Sequence, residues 1–199
     1  MLPDLEELCL SGNCLKVLPN TLHRLTNLLV LTLDNNPGLL YIPGSIAKIK
    51  DFSYFSVNRC FGNHMLPEPN NTIDKETASK CLAQLRCTYS LTCVELDSCP
   101  ISLKNLAARK LFLGSMDFEC VPNFVSQVAA APTGFCHVCE CPIFATAQYL
   151  FLTVEEILKV GVRSASIEMY LNRMKQRGAP FLLLFCSTHC SKKFCKRGS

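Results

Sequence analysis

Residues 5–25 read LEELCLSGNCLKVLPNTLHRL, a frame set by Leu5, Leu8, Leu10, Asn13, Leu15, Leu18, Pro19, Leu22 and Leu25. The frame returns 23 residues later as Leu28, Leu31, Leu33 and Asn36, with Ile42, Pro43, Ile46 and Ile49 one residue late. A third start comes 24 residues on, at Phe52, Phe55, Val57 and Cys60. Apolar residues two apart put both side chains on one face of a short strand, because alternate strand residues point to opposite faces. Asn13 and Asn36 fall where the chain turns away from that strand, and a buried carboxamide there can bond backbone groups of neighbouring coils.

A period of this length with this spacing is the pattern of a leucine-rich repeat. The leucines are expected core. The outward positions of the short strands, Glu7, Cys9, Ser11, Val30, Thr32, Asp34, Tyr54, Ser56 and Asn58, are the candidate partner-binding strip. One coil cannot bury its own apolar face, and at least about three are needed for stability. Two full repeats and one degenerate start, opening at once on Leu2-Pro3, therefore read as the end of a solenoid cut from a longer array. Phe52, Phe55, Val57 and Cys60 are expected to form a closing coil that docks onto a later element of the chain.

The chain has 199 residues, 49% of them hydrophobic, which argues for a real core and against disorder. No run approaches the roughly 20 apolar residues needed to span a membrane. The opening MLPDLEELCL has no basic region of a signal peptide, so an intracellular chain, cytoplasmic or nuclear, is expected. Net charge is +4, and Lys192, Lys193, Lys196 and Arg197 read as a solvated helix end, with no nucleic-acid partner expected.

Fourteen cysteines in a reduced chain call for metal where they cluster. Cys9, Cys14, Cys81, Cys87, Cys93 and Cys99 form no cluster and read as small buried hydrophobes, Cys81 on a helical stripe with Ala78, Leu82 and Leu85. Cys87, Cys93 and Cys99, six apart, suit strands. The C-terminal third differs. Cys136-His137-Val138-Cys139 gives C-x2-C, and Cys186-Ser187-Thr188-His189-Cys190 gives C-x3-C. Two close pairs suit four-coordinate tetrahedral zinc, and the alternative is four bare thiols. The first pair reads as a knuckle in a hairpin. The second ends the strand FLLLFC and enters a helix capped by Ser187, in the order of a treble-clef zinc module. Cys141, Cys195, His137 and His189 are expected bystanders, since four thiolates already close a structural site. No H-x-E precedes a P-C-x-x-C as in zinc deaminases, and no catalytic constellation stands elsewhere, so no enzyme activity is expected.

Between the two pairs, Thr153-Val-Glu-Glu156 forms a capping box and Gly161 ends that helix. A second helix is expected over residues 165–176, and both are expected to pack over the metal hairpin. Further upstream, Ser102-Leu103-x-x-Leu106-Ala107-Ala108-Arg109-Lys110-Leu111 forms an amphipathic stretch with Leu103, Ala107 and Leu111 on one face. Val121-Pro122-x-x-Val125-x-x-Val128 begins another helix with Pro in its first turn. The first stretch resembles the elongin-binding box of SOCS-box proteins and the second a cullin box. An ordinary helical hairpin is the alternative reading.

The order of repeats, Ser102-Leu103-x-x-Leu106-Ala107-x-Arg109, then CHVC, PIF and CSTHC is similar to the leucine-rich-repeat-containing protein 28 family. That resemblance implies a longer repeat array, a C-x2-C just after it, where this chain has Cys60 and Asn63, and no enzyme activity. The expected organisation is α+β: repeats over 1–62, connecting helix and strands over 63–100, a SOCS-box-like hairpin over 101–131 and a treble-clef-like module over 132–199. The expected function is protein binding through the repeats, with structural zinc held by Cys136, Cys139, Cys186 and Cys190. The alternative is a substrate receptor that recruits elongin B/C and a cullin through residues 101–131.

Overall fold

A computed structural model describes residues 4–61, 75–89, 92–94, 96, 108, 132–144, 146–174 and 179–196. They form a mixed α+β structure of four helices and small sheets among the described residues. In chain order the strands are β1 (Glu7–Cys9), β2 (Val30–Thr32), β3 (Ile42–Pro43), β4 (Tyr54–Ser56), β5 (Thr92–Val94), β6 (Gly134–Phe135), β7 (Pro142–Ile143), β8 (Thr146–Leu152) and β9 (Phe181–Phe185). The helices are α1 (Lys75–Tyr89), α2 (Val154–Val160), α3 (Ala165–Met174) and α4 (Thr188–Cys195).

Two compact units divide the chain. The first joins Met1–Cys81 to Phe151–Leu182, and the second joins Leu82–Leu150 to Leu183–Ser199. Residues 151–182 thus share a unit with the N-terminal part of the chain.

In the first unit β1, β2 and β4 form a parallel sheet in that order. Leu8 pairs with Leu31 and Leu31 with Phe55, so the 23- and 24-residue sequence periods become one register. The backbone repeats with the same period. After each strand one residue takes a left-handed conformation: Gly12 (φ +70), Asn35 (φ +56) and Arg59 (φ +54). Leu10 N–H donates to the Thr32 carbonyl and Leu33 N–H to the Ser56 carbonyl, both at 2.8 Å. Leu28, Leu31, Leu33, Leu39, Ile42 and Ile46 are fully buried behind this sheet. In the first coil Leu5, Leu8, Leu10 and Leu15 are only half-buried.

Asn36 ties the coils together. Its carboxamide is buried; Nδ2 donates to the Leu10 carbonyl (2.9 Å) and the Leu33 carbonyl (2.6 Å), and Oδ1 accepts from Leu15 N–H (3.2 Å). Asn13 makes only local bonds, to Leu10 and Ser11, and is exposed. Cys60 takes the equivalent place in the third coil, where its thiol donates to the Leu33 carbonyl at 3.0 Å.

The third coil does dock onto another element, as its aromatic residues suggest, and that element is α3. Tyr170 accepts Val57 N–H at 2.8 Å and sets its ring edge-on to Phe55, centroids 5.3 Å apart. Ser164 binds both partners at once: its hydroxyl donates to the Phe52 carbonyl (3.2 Å) and accepts Ile167 N–H (3.5 Å) at the start of α3. Ile167 and Leu171, four apart, bury the apolar face of the helix. The strand edge offers α3 an unsatisfied amide and an apolar ring. β3 pairs in parallel with the start of β9, Ile42 opposite Phe181. The capping box on α2 is present: Thr153 N–H donates to Glu156 Oε2 (2.7 Å), and Glu156 N–H donates to Thr153 Oγ1 (3.3 Å).

In the second unit β5 pairs in parallel with the start of β8, and β6 pairs antiparallel with β7. The chain passes between the units within α1, β8 and β9. The proposed hairpin over 101–131, with Leu103, Ala107 and Leu111, lies outside the described residues apart from buried Ala108. No described helix is long and apolar enough to cross a membrane.

The two asparagines make a paired prediction. Asn36→Ala removes three side-chain bonds to backbone at once, leaves Leu15 N–H without its acceptor, and is expected to cost about 2–4 kcal/mol, whereas Asn13→Ala stays within about 0.5 kcal/mol. Tyr170→Phe removes the acceptor for Val57 and is expected to cost about 1 kcal/mol. Urea unfolding of the three variants measures this ordering. Equal losses at Asn13 and Asn36 contradict it.

Candidate metal centre

The C-terminal cysteines converge because two short segments each hold their pair in place. The first segment is the turn between β6 and β7. Cys136 N–H donates to the Cys141 carbonyl (2.9 Å) and Glu140 N–H to the Cys136 carbonyl (3.0 Å), closing the loop around Cys136 and Cys139. Glu140 reverses the chain in a left-handed conformation, φ +57. The second segment is the step from β9 into α4. β9 is buried along its whole length, and the strand ends directly on Cys186. Ser187 then caps α4, its hydroxyl accepting Cys190 N–H at 3.3 Å, so Cys190 sits in the first helical turn. A cysteine there has its sulfur near the positive end of the helix dipole, which favours negative charge.

A backbone bond joins the two segments, and a buried polar pair ties the second of them to β8. His137 N–H donates to the Leu184 carbonyl at 2.8 Å, which fixes the knuckle against β9. Ser191, the residue after Cys190, donates to Gln148 Oε1 (2.9 Å), and Gln148 Nε2 donates to the Leu96 carbonyl (2.6 Å). Phe194 completes the packing, with its ring 5.3 Å from that of Phe185 and 5.5 Å from that of His137. Neither Gln148 nor Ser191 has a metal-ligand side chain, so cysteine spacing could not find them.

The four sulfurs of Cys136, Cys139, Cys186 and Cys190 lie within 4.8 Å of one another, a group able to hold a metal ion. Cys139 and Cys186 sulfurs are 3.5 Å apart, and Cys186 and Cys190 sulfurs 3.8 Å. Crowding splits the thiols. A hydrogen bond from Cys186 pulls the Cys136 thiol down to about 4, despite its burial, and the same contact pushes Cys186 strongly up. Burial raises Cys190 to about 11. Without a cation Cys136 favours the thiolate, while Cys186 and Cys190 favour the thiol. A divalent cation replaces those protons and lets all the sulfurs ionise.

His189 is exposed, and neither it nor His137 belongs to the four-sulfur group. The other cysteines divide differently from expectation. Cys81 is fully buried on the inner stripe of α1 with Leu85. Cys9, Cys14 and Cys87 are exposed, which corrects their reading as buried hydrophobes. Cys87 lies in α1 and not in a strand, because the helix runs on to Tyr89. Cys99 lies outside the described residues.

On the outward strip, Glu7, Val30 and Tyr54 form one cross-strand row and Cys9, Thr32 and Ser56 the next. Glu7, Cys9, Tyr54 and Asn58 are exposed, and Ser11, Val30, Thr32 and Asp34 half-buried. Ser56 departs from its expected role. It is 1% exposed and donates to Asp34 Oδ1 at 2.6 Å, so it orients Asp34 and presents nothing outward. Asn58 N–H donates to the same oxygen at 2.6 Å. Asp34, Asn35, Asn58 and Arg59 line an open cleft of about 440 Å³.

Comparison of the chain with protein-family models, with curated proteins and with solved structures finds no match. The functional reading therefore rests on the geometry.

The cap of α4 yields the prediction for this site. Ser187→Ala leaves the Cys190 amide without its acceptor and is expected to cost about 1 kcal/mol, with Ser187→Asp retaining most of the stability. Thermal melting of both variants tests it; an alanine variant as stable as wild type removes Ser187 from the scaffold of the site.

Proposed function

We propose that this chain is a non-enzymatic binding protein that combines the end of a leucine-rich-repeat solenoid with a structural zinc module. The observation that carries the first half is the register: equivalent residues of three coils pair side by side, and the left-handed turn recurs at each coil. A repeat solenoid buries its leucines between coils and presents the outward strand residues to a partner. On this chain those residues are Glu7, Cys9, Val30, Thr32, Asp34, Tyr54 and Asn58, with an exposed tyrosine beside polar neighbours. Such a mixture suits a protein surface, where tyrosine supplies contact area at little entropic cost.

The second half rests on the sulfur cluster. A regular tetrahedron with zinc–sulfur bonds of about 2.3 Å has edges of about 3.8 Å. The sulfur separations of 3.5 and 3.8 Å fit that size. Hard cations such as calcium and magnesium take oxygen ligands, whereas soft thiolates select zinc or iron–sulfur centres. Knuckle, hairpin, strand and capped helix in this order support a treble-clef arrangement. Four protein sulfurs leave no open coordination position for a substrate, which supports a structural ion. This reading also keeps the chain beside the leucine-rich-repeat-containing protein 28 family and in a reducing compartment.

Purified protein is expected to carry about one zinc per chain, measured by elemental analysis, and to lose it as pH falls, because protons compete for the sulfurs. Cys136→Ser with Cys139→Ser is expected to abolish the metal and to loosen the second unit. Stoichiometric zinc in that double variant rejects the ligand set.

A further inference from the structure

The four sulfurs differ in one respect that a structural metal site does not require. Cys136, Cys186 and Cys190 are 0%, 9% and 7% exposed, enclosed by β9 and the start of α4. Cys139, at the tip of the knuckle, is exposed. The nearest sulfur to it at a measured separation is Cys186, at 3.5 Å. An exposed zinc-bound thiolate with a second thiolate in reach has the two parts of an oxidation site: a sulfur that an oxidant can approach and a sulfur that resolves the product.

We infer that Cys139 is the point at which peroxide attacks the zinc-loaded chain, and that a Cys139–Cys186 disulfide then ejects the metal. The inference rests on the zinc reading above. In the first step the Cys139 thiolate attacks one oxygen of hydrogen peroxide; the O–O bond breaks, hydroxide leaves, and Cys139 becomes a sulfenic acid. In the second step the Cys186 thiolate attacks the Cys139 sulfur, the S–O bond breaks, and a second hydroxide leaves. Two sulfurs have lost two electrons in total, and peroxide has gained them. The sulfurs close from 3.5 Å to the disulfide length of about 2.05 Å. Two thiolates remain, Cys136 and Cys190, and they are too few to retain zinc.

The arrangement also explains why the alternative pair is disfavoured. Cys186 and Cys190 are 3.8 Å apart, near enough to link, but both are enclosed and neither meets the oxidant first. Cys141 and Cys195 lie close in sequence to the ligands and stand outside the four-sulfur group, so their oxidation leaves the zinc in place.

The test uses the full chain, loaded with zinc and quantified by elemental analysis before treatment. Substoichiometric hydrogen peroxide is added, zinc release is followed with a chromogenic chelator, and non-reducing peptide mass spectrometry maps the disulfide. Expected are zinc release in step with a Cys139–Cys186 link, reversed by dithiothreitol and added zinc. Cys139→His keeps a fourth ligand that peroxide does not convert to a sulfenic acid, and it is expected to slow release about tenfold or more. A loaded wild type that retains zinc while Cys141 or Cys195 oxidises overturns the inference and leaves the zinc reading intact. So does a first disulfide between Cys186 and Cys190. A chain that purifies without zinc overturns both. Should Cys139→His fail to load, differential alkylation of wild type after brief exposure identifies the first sulfur oxidised, and any sulfur other than Cys139 rejects the proposal.

Discussion

The hydrogen bond from Val57 N–H to the Tyr170 hydroxyl marks where a parallel sheet stops. A strand at the edge of a sheet presents unpaired amides and carbonyls, and an uncovered edge invites pairing with another chain. Helix α3 meets this need with one hydroxyl, one aromatic ring and the Ser164 side chain on the Phe52 carbonyl. The residues that supply them lie over a hundred positions beyond the strand. Among the described residues no strand pairs with the free edge of β4, and a helix from later in the chain supplies the partner there.

A similar economy governs the cysteines. Each pair is fixed by its own backbone before any ion is considered. Cys136 and Cys139 are held by the turn that Glu140 closes, and Cys186 and Cys190 by a buried strand running into a capped helix. Because the loop between the pairs is long, bringing its ends together costs chain entropy that local turns cannot return. The Leu184 carbonyl accepting His137 N–H and the Ser191–Gln148 pair contribute to that closure through protein groups alone. The sulfurs are thus gathered at a separation that an ion matches, and the split between a lowered Cys136 and raised Cys186 and Cys190 is what that gathering does in its absence.

What was legible in the sequence was local. The strand pattern gave Leu8, Leu31 and Phe55 as equivalent residues, Thr153 with Glu156 gave a capping box, and the two cysteine pairs gave the four sulfurs that the fold brings together. Each signal lies within a few residues, so neighbouring side chains suffice to reveal it. The role of Tyr170 was not legible, because a tyrosine on a helix face looks the same whether it meets a strand edge or a core. Ser56 was misplaced for a related reason: period two puts it outward, yet the side chain is buried and its hydroxyl is taken up by the Asp34 carboxylate. Cysteine misled most, since it is equally at home in a core (Cys81) and on an exposed strand (Cys9).

The step from Asn36 to Cys60 shows how side-chain chemistry follows the backbone groups that each position meets. An asparagine between two coils serves three backbone groups, because its carboxamide offers two donors and an acceptor. Leu10, Leu33 and Leu15 use all of these at Asn36. In the third coil the preceding coil still presents the Leu33 carbonyl, and a thiol, with one weak donor, is enough to meet it. Cys60 is fully enclosed, so its burial raises the thiol and keeps the proton that makes this bond. An ionised sulfur would face a carbonyl oxygen and be repelled. The substitution therefore fits a position where one carbonyl calls for a donor, and the neutral thiol is the form that the position selects.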